Sequence, residues 1–184
     1  VPSTPADAKG VLFGAMEDPD SVLVLEPKKL YRLAKGPYPE GEHIVPLGRA
    51  VLRRSGSDLT IIDYGAMAHF SVEAAAVLDR AGIAADVIDL RSLMARDWPT
   101  IVASVAKTRR GLMVHGDDAA YGVEFSRSRN SGGVFTPGGK AYRLICRSLQ
   151  ARADRAVKDP RESKARLGRR QAGGVAKVLW RQDV

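Results

Sequence analysis

Apolar positions along the chain switch between two periods, and each switch marks an element. Leu59-Thr60-Ile61-Ile62 is a β-branched run closed by Tyr64-Gly65, residues 70–81 repeat at helical spacing, and Asp86-Val87-Ile88-Asp89-Leu90 is again strand-like. Strand, helix and strand within about thirty residues make one βαβ unit. Such a unit lays its strands parallel and needs helices over the sheet. Its helix is expected to bury Phe70, Ala74, Val77, Leu78 and Ala81 and to stop at Gly82.

The flanking segments supply the cover. Upstream, Thr4-Pro5-Ala6-Asp7 reads as a helix start, with Thr4 as cap and Asp7 placed to complete a capping box. Ala8, Val11, Leu12, Ala15 and Met16 then share one face, Glu17-Asp18-Pro19-Asp20 ends the helix, and residues 22–25 read as a strand. Residues 35–46, with Gly36, Pro37, Pro39, Gly41 and Pro46, have the composition of a linker and domain boundary. Ser55-Gly56-Ser57-Asp58 is expected to turn a hairpin between residues 49–53 and 59–63. Downstream, Asp97 caps a second helix that carries Ile101, Val102 and Val105 inward, and Lys107 and Arg109 meet its C-terminal dipole. Residues 111–115 form the next buried strand. Residues 140–157 show helical spacing through Tyr142, Ile145, Leu149 and Ala153, and residues 161–170 are expected to be disordered or loosely helical. The fold class is α/β, a doubly wound, mostly parallel sheet.

Composition changes this picture in one respect. Hydrophobic residues make up 45% of the 184 and charged residues 27%, an ordinary globular balance. Without a run of about eighteen apolar residues, no membrane span is expected. The single cysteine, Cys146, excludes an internal disulfide and suits a reducing compartment, so a cytoplasmic location is expected. The net charge of +8, however, is uneven. Residues 1–124 carry 14 Lys+Arg against 17 Asp+Glu, and residues 125–184 carry 15 against 4. A break of this kind marks a boundary, a tail or a binding face. The chain opens on Val1 and directly on a helix cap, so upstream sequence is expected and a targeting segment is not judged.

Candidate chemistry is sparse. His43, His69, His115 and Cys146 stand 26, 46 and 31 residues apart, which matches no metal-ligand pattern. They read as a linker histidine and two histidines at element ends. Residues 133–140 look like a phosphate loop, but the lysine arrives one residue late and Ala141 replaces the required Ser or Thr. No GxSxG elbow is present. The acidic group Glu17, Asp18 and Asp20 reads as a solvated turn before an ion site. The basic end could contact phosphates, but it lacks interleaved aromatics beyond Phe135, Tyr142 and Trp180.

Many short stretches in fixed order carry a family resemblance. Pro2-Ser3-Thr4-Pro5-Ala6-Asp7-Ala8-Lys9-Gly10, Leu25-Glu26-Pro27-Lys28, Leu30-Tyr31-Arg32, Pro39-Glu40-Gly41 and Val45-Pro46-Leu47-Gly48 open it. Tyr64-Gly65-Ala66-Met67 with His69, Val87-Ile88-Asp89-Leu90-Arg91, Lys107-Thr108, Val114-His115 and Tyr121-Gly122 continue it to about residue 124. These resemble the β subunit of the decarboxylating component of 2-oxo acid dehydrogenases, and Glu-Pro-Lys with Leu-Tyr-Arg looks most like the branched-chain type. The resemblance implies four parts: residues 1–34 as the end of a thiamine pyrimidine-binding domain (its last helix and strand), 35–46 as linker, 47–124 as a transketolase C-terminal-like domain, and 125–184 as an atypical basic tail.

It further implies an α₂β₂ enzyme that uses thiamine diphosphate and magnesium to decarboxylate a 2-oxo acid and pass the acyl group to a lipoyl arm. The partners would be an α subunit, a second β subunit and the lipoyl acyltransferase core, with neither membrane nor nucleic acid. Because the subunit-binding domain of that core is typically basic, the positive tail would oppose docking. The glutamate that activates the cofactor precedes Val1 in the family, so no catalytic or cofactor-binding residue is carried over. The part present would serve subunit assembly and be inactive alone. A potassium site does map here, onto the Ala15 carbonyl, Asp18 and Asp20. Departures are Gly116 in place of glutamate, Ala119-Ala120 in place of a glycine-rich pair, and Arg109 in place of glycine. The family's final helix and strand are not expected after Glu124, as if the reading frame had shifted there. Two rival readings remain: a non-catalytic module whose basic tail binds nucleic acid or an acidic partner, and a pyruvate- or acetoin-type dehydrogenase β subunit or another thiamine enzyme of the transketolase group.

Overall fold

The computed structural model describes residues 1–116 and the backbone of two further strands, 133–135 and 142–148. In chain order its elements are α1 (Pro5–Glu17), α2 (Leu30–Leu33), β1 (Val51–Arg54), β2 (Leu59–Asp63), α3 (Ala66–Asp79), β3 (Ala85–Asp89), α4 (Trp98–Thr108), β4 (Arg110–His115), β5 (Gly133–Phe135) and β6 (Tyr142–Ser148). They build a six-stranded sheet in the order β1-β3-β2-β4-β6-β5. β3, β2, β4 and β6 run parallel, while β1 and β5 pair antiparallel at the two edges.

The central strands alternate between two helical layers because successive side chains leave a strand on opposite faces. Ile61, Val87, Leu112 and Val114 pack under Phe70, Ala74 and Leu78 of α3. Ile62, Ile88 and Met113 pack against Ile101 and Val105 of α4. Every residue of β2 and β3 is buried, which is why both read as continuous apolar runs instead of alternating ones. The doubly wound, mostly parallel α/β sheet expected from the sequence is present.

Helix ends follow local chemistry. The Thr4 hydroxyl accepts the Asp7 amide at 3.1 Å, and Asp97 accepts the Thr100 amide at 3.2 Å. Gly82 has φ +75°, and the Gly82 and Ile83 amides return to Asp79 and Leu78 at 3.0 and 3.1 Å. That bond pair is a Schellman stop. At the end of α4 the same left-handed conformation falls on Arg109, φ +61°, a position that favours glycine.

Several expectations are corrected. Val77 and Ala81 are exposed, because α3 turns Met67, Phe70, Ser71, Ala74, Ala75 and Leu78 inward and Val77 sits about 100° round from Leu78. Val102 is only half-buried. On α1 the buried face is Asp7, Gly10, Val11 and Gly14. Leu12 and Met16 face outward, since the two glycines let Val45 pack directly on the helix, by its side chain at Gly10 and its carbonyl at Gly14.

Residues 22–25 form no strand, because among the described residues no chain pairs with them; Leu23 is 81% exposed. The 55–58 hairpin is also absent: β1 pairs with β3, and β2 lies beyond it. The Ser57 and Asp58 amides instead bond the Ala84 carbonyl at 3.1 and 2.9 Å, and the Gly56 amide bonds Asp86 at 2.7 Å. The segment therefore crosses the start of β3. Helical spacing at residues 142–148 gives way to strand β6, whose ladder partner is the open edge of β4, so a strand after Glu124 is present. The remainder of the 140–157 helix, the phosphate-loop lookalike beyond Phe135, and the 161–170 segment lie outside the described residues.

Candidate functional site

The polar chemistry of the chain collects at the carboxyl ends of β2 and β3, where open α/β sheets ordinarily place their sites. An irregularity between Leu52 and Arg54 interrupts the β1–β3 register, and such a bulge re-aims the residue it displaces. Here that residue is Arg53. Its guanidinium lies 3.0 Å from the Asp89 carboxylate at the end of β3 and also pairs with Asp7 of α1. Arg91, held at φ +55°, gives a second bond to Asp7 at 3.1 Å. Ser3 donates to Asp89, and the Val1 nitrogen donates to the Arg91 carbonyl at 2.6 Å. His69 Nε2 lies 2.7 Å from the Ser3 carbonyl.

Burial works against charge in this node, but the pairing prevails. For Asp7, burial alone would raise the carboxyl, yet the Thr4 hydroxyl and the Arg53 and Arg91 guanidiniums hold it below the ordinary range. Burial likewise opposes the Arg53 charge, and Asp89 and Asp7 outweigh it. The node therefore fastens the N-terminal segment and α1 to the centre of the sheet. It does not present a reactive group to solvent.

Asp63, beside Asp89 at the end of β2, behaves differently. Full burial, and then the neighbouring Asp89, push its carboxyl well above the ordinary value. The Ser71 hydroxyl and Arg53 offset this only in part. At the opposite end of the sheet Asp86 is held by Ser104 at 2.5 Å and Lys107 at 2.7 Å, with Thr60 bridging Ser104 and Thr108 at 2.7 Å each. Sequence patterning singled out neither cluster. Asp63 and Asp86 inside otherwise apolar runs were the available signal, because buried carboxyls need partners.

Of the positions mapped for potassium, Asp18 and Asp20 share the turn after α1 and Ala15 lies in that helix's last turn. The Asp20 amide bonds Asp18 at 3.0 Å. Among the described residues no group of three His, Cys, Asp or Glu is gathered for a metal. A cleft of about 230 Å³ runs between the N-terminal segment and α2, lined by Pro2, Pro5, Ala8, Pro27 and Leu30, with Glu26 and Tyr31 at its side. Its lining holds no cation and no glycine-rich loop that would cradle a diphosphate, so this cleft does not fit thiamine diphosphate. Among the described residues no helix is long and apolar enough to cross a membrane.

The family model for the transketolase C-terminal domain matches residues 48–145, just over half of the chain. The chain belongs to the transketolase C-terminal domain family. The match takes in β1 to β5 and part of β6. Pyruvate dehydrogenase E1 component subunit beta of Bacillus subtilis is 47% identical over 123 residues, covering 67% of this chain and 38% of that protein. The 2-oxoisovalerate dehydrogenase subunit beta of the same bacterium is 44% identical over 117 residues, covering 64% of this chain and 36% of that one. This family member thus spans less than two fifths of the length of these curated relatives. Among solved structures, a split-gene transketolase described as an inactive beta4 tetramer is 33% identical, with a TM-score of 0.39 over 40% of this chain and 24% of its own.

Proposed function

We propose that the chain works as the assembly part of the β subunit of a thiamine diphosphate-dependent 2-oxo acid dehydrogenase, paired with an α-type subunit and a second β copy. The observation that carries this is the 47% and 44% identity to two such β subunits, together with a polar node that fastens elements and exposes no reactive group. For the substrate we favour a branched-chain 2-oxo acid, supported by Glu26-Pro27-Lys28 and Leu30-Tyr31-Arg32. Magnesium would accompany the cofactor on the partner's side. Potassium would draw on the Ala15 carbonyl, Asp18 and Asp20, and we place the complex in the cytoplasm. Docking on an acyltransferase core is opposed by the basic 125–184 segment.

Co-expression with an α-type subunit should yield a stable complex, and cells lacking the chain should lose oxidative decarboxylation of 3-methyl-2-oxobutanoate. Loss of pyruvate decarboxylation instead would reassign the substrate. Turnover by the purified chain without any partner would overturn the assembly role. Binding to unrelated DNA that weakens with salt would favour the nucleic-acid reading instead.

A further inference from the structure

At the carboxyl ends of the two central strands, Asp63 and Asp89 are register partners on neighbouring parallel strands. That places their backbones about 4.8 Å apart, and by strand alternation both follow Ile61 and Val87 onto the α3 face. Both side chains are fully buried. We propose that Asp63 and Asp89 form a carboxyl pair that holds one proton, and that losing this proton releases α1 from the sheet as pH rises.

The charge inventory carries the argument. The node holds three carboxyls, Asp7, Asp63 and Asp89, against two guanidiniums and the Val1 amino group, whose charge burial disfavours, so that as pH rises only the guanidiniums remain as cations. Arg53 is divided between Asp89 and Asp7, and Arg91 is spent on Asp7 and the Arg49 carbonyl. The Val1 amino group bonds the Arg91 carbonyl, and the carboxylates acting on it are Asp89 and Asp7. From α3, Asp63 meets the Ser71 hydroxyl, His69 is turned to the Ser3 carbonyl, and Lys29 lies over the Phe70 ring. From β4 the same face offers apolar Leu112 and Val114, with Arg110 exposed at the far end of the strand. With Asp63 protonated, the two guanidiniums balance Asp7 and Asp89. Once Asp63 ionises, a second carboxylate beside Asp89 draws on Arg53, and Asp7 loses its share.

The direction follows from linkage. A carboxyl whose folded value lies above its unfolded value of 3.8 keeps its proton where the unfolded chain has lost it. Stability therefore falls as pH rises between the two values, with the unfolding constant growing about tenfold per pH unit, and then levels off.

The test is denaturant unfolding of the whole chain across pH 5 to 9, with amide exchange in α1 measured relative to α4. Wild type should lose stability and α1 protection as pH rises, whereas Asp63→Asn, which cannot ionise, should keep both. The Val1 amino group titrates in the opposite sense in both proteins, so the difference between them isolates Asp63. If Asp63→Asn fails to fold, the carbon NMR signal of the wild-type Asp63 carboxyl gives the same answer: it should keep its proton well above the usual carboxylate range. Parallel pH curves for the two proteins, or ordinary titration of the Asp63 carboxyl, would overturn the pair. Equal α1 protection would overturn its link to the helix.

Discussion

Arg53 and Asp89 form a 3.0 Å ion pair in which the carboxylate is fully buried and the guanidinium is 25% exposed. The same guanidinium reaches Asp7, so one side chain at an edge-strand bulge ties the first helix to the sheet centre. Replacing Arg53 with Met would leave Asp89 charged, buried and short of its cation. Removing one partner of a buried pair is destabilising by about 3–5 kcal/mol. The partial exposure of Arg53 puts the expected loss near the lower end, in urea unfolding. A loss below about 1 kcal/mol would class the contact with surface ion pairs. Asp7→Asn should cost much less in the Arg53→Met background than alone, because the two residues share one interaction.

Gly56 shows how the chain avoids a hairpin. A Cβ there would stand 2.4 Å from the Ala84 carbonyl carbon and the Ala85 amide nitrogen, both backbone atoms. Gly56→Ala should therefore push the 55–58 segment off β3 and weaken the Gly56 amide bond to Asp86. The expected loss is about 1–3 kcal/mol, the range for overpacking, read by thermal unfolding. Gly41→Ala serves as comparison: its Cβ meets nothing within 4 Å, and its loss should come only from its φ of +67°.

Arg109→Gly should stabilise. The residue is exposed and sits in the left-handed region at φ +61°, which costs an L-residue about 1–2 kcal/mol. Greater freedom of glycine in the unfolded chain offsets about 0.4–1 kcal/mol of that gain. A small net rise in melting temperature is expected, and a fall would mean that the arginine side chain makes a compensating contact.

These positions also show what was legible beforehand. The two apolar runs, the Thr4, Asp97 and Gly82 signals and the crossover between them are local, and periodicity with capping chemistry reveals them. Strand neighbours are not local. Nothing within residues 49–63 says that β1 prefers β3 to β2, because the deciding bonds come from Ala84 and Asp86, almost thirty residues on. Residues 142–148 failed for the same reason, since Tyr142 and Ile145 suit a helix face until β4 offers a ladder. On α1 the apolar residues misled and the glycines decided, because close approach by Val45 selected the Gly10 and Gly14 face. The node was visible only in part: Asp7, Asp89 and Arg91 drew notice as a cap and as landmarks, while the bulge that aims Arg53 leaves no mark in local pattern.

The turn after α1 can be tested through its ions. If the Ala15 carbonyl, Asp18 and Asp20 help to hold potassium, the chain assembled with its α-type partner should melt at a higher temperature in potassium than in sodium at equal ionic strength. Asp18→Asn with Asp20→Asn should erase that difference. Identical melting of the unsubstituted complex in the two salts would remove potassium from the proposal.

Acid stability should depend on the network beneath the other end of the sheet. Burial alone would raise the Asp86 carboxyl, but the Lys107 ammonium, the Ser104 hydroxyl and the Gly56 amide outweigh it and hold the group below its ordinary value of 3.8. A depressed folded value means that the unfolded chain binds a proton first as pH falls. The contribution of Asp86 is thus complete above pH 3.8 and disappears as pH falls through the lower folded value. Ser104→Ala removes one donor from Asp86 and also strands the Thr60 hydroxyl, which keeps only Thr108. The expected loss at neutral pH is about 1–3 kcal/mol. The acid-unfolding midpoint should move upward as the Asp86 value rises, and Lys107→Met should move it the same way. Asp86→Asn, by contrast, should flatten this limb of the stability curve. If Ser104→Ala lowers stability equally at pH 3 and pH 7, its role is packing and the hydrogen bond to Asp86 adds nothing to acid resistance.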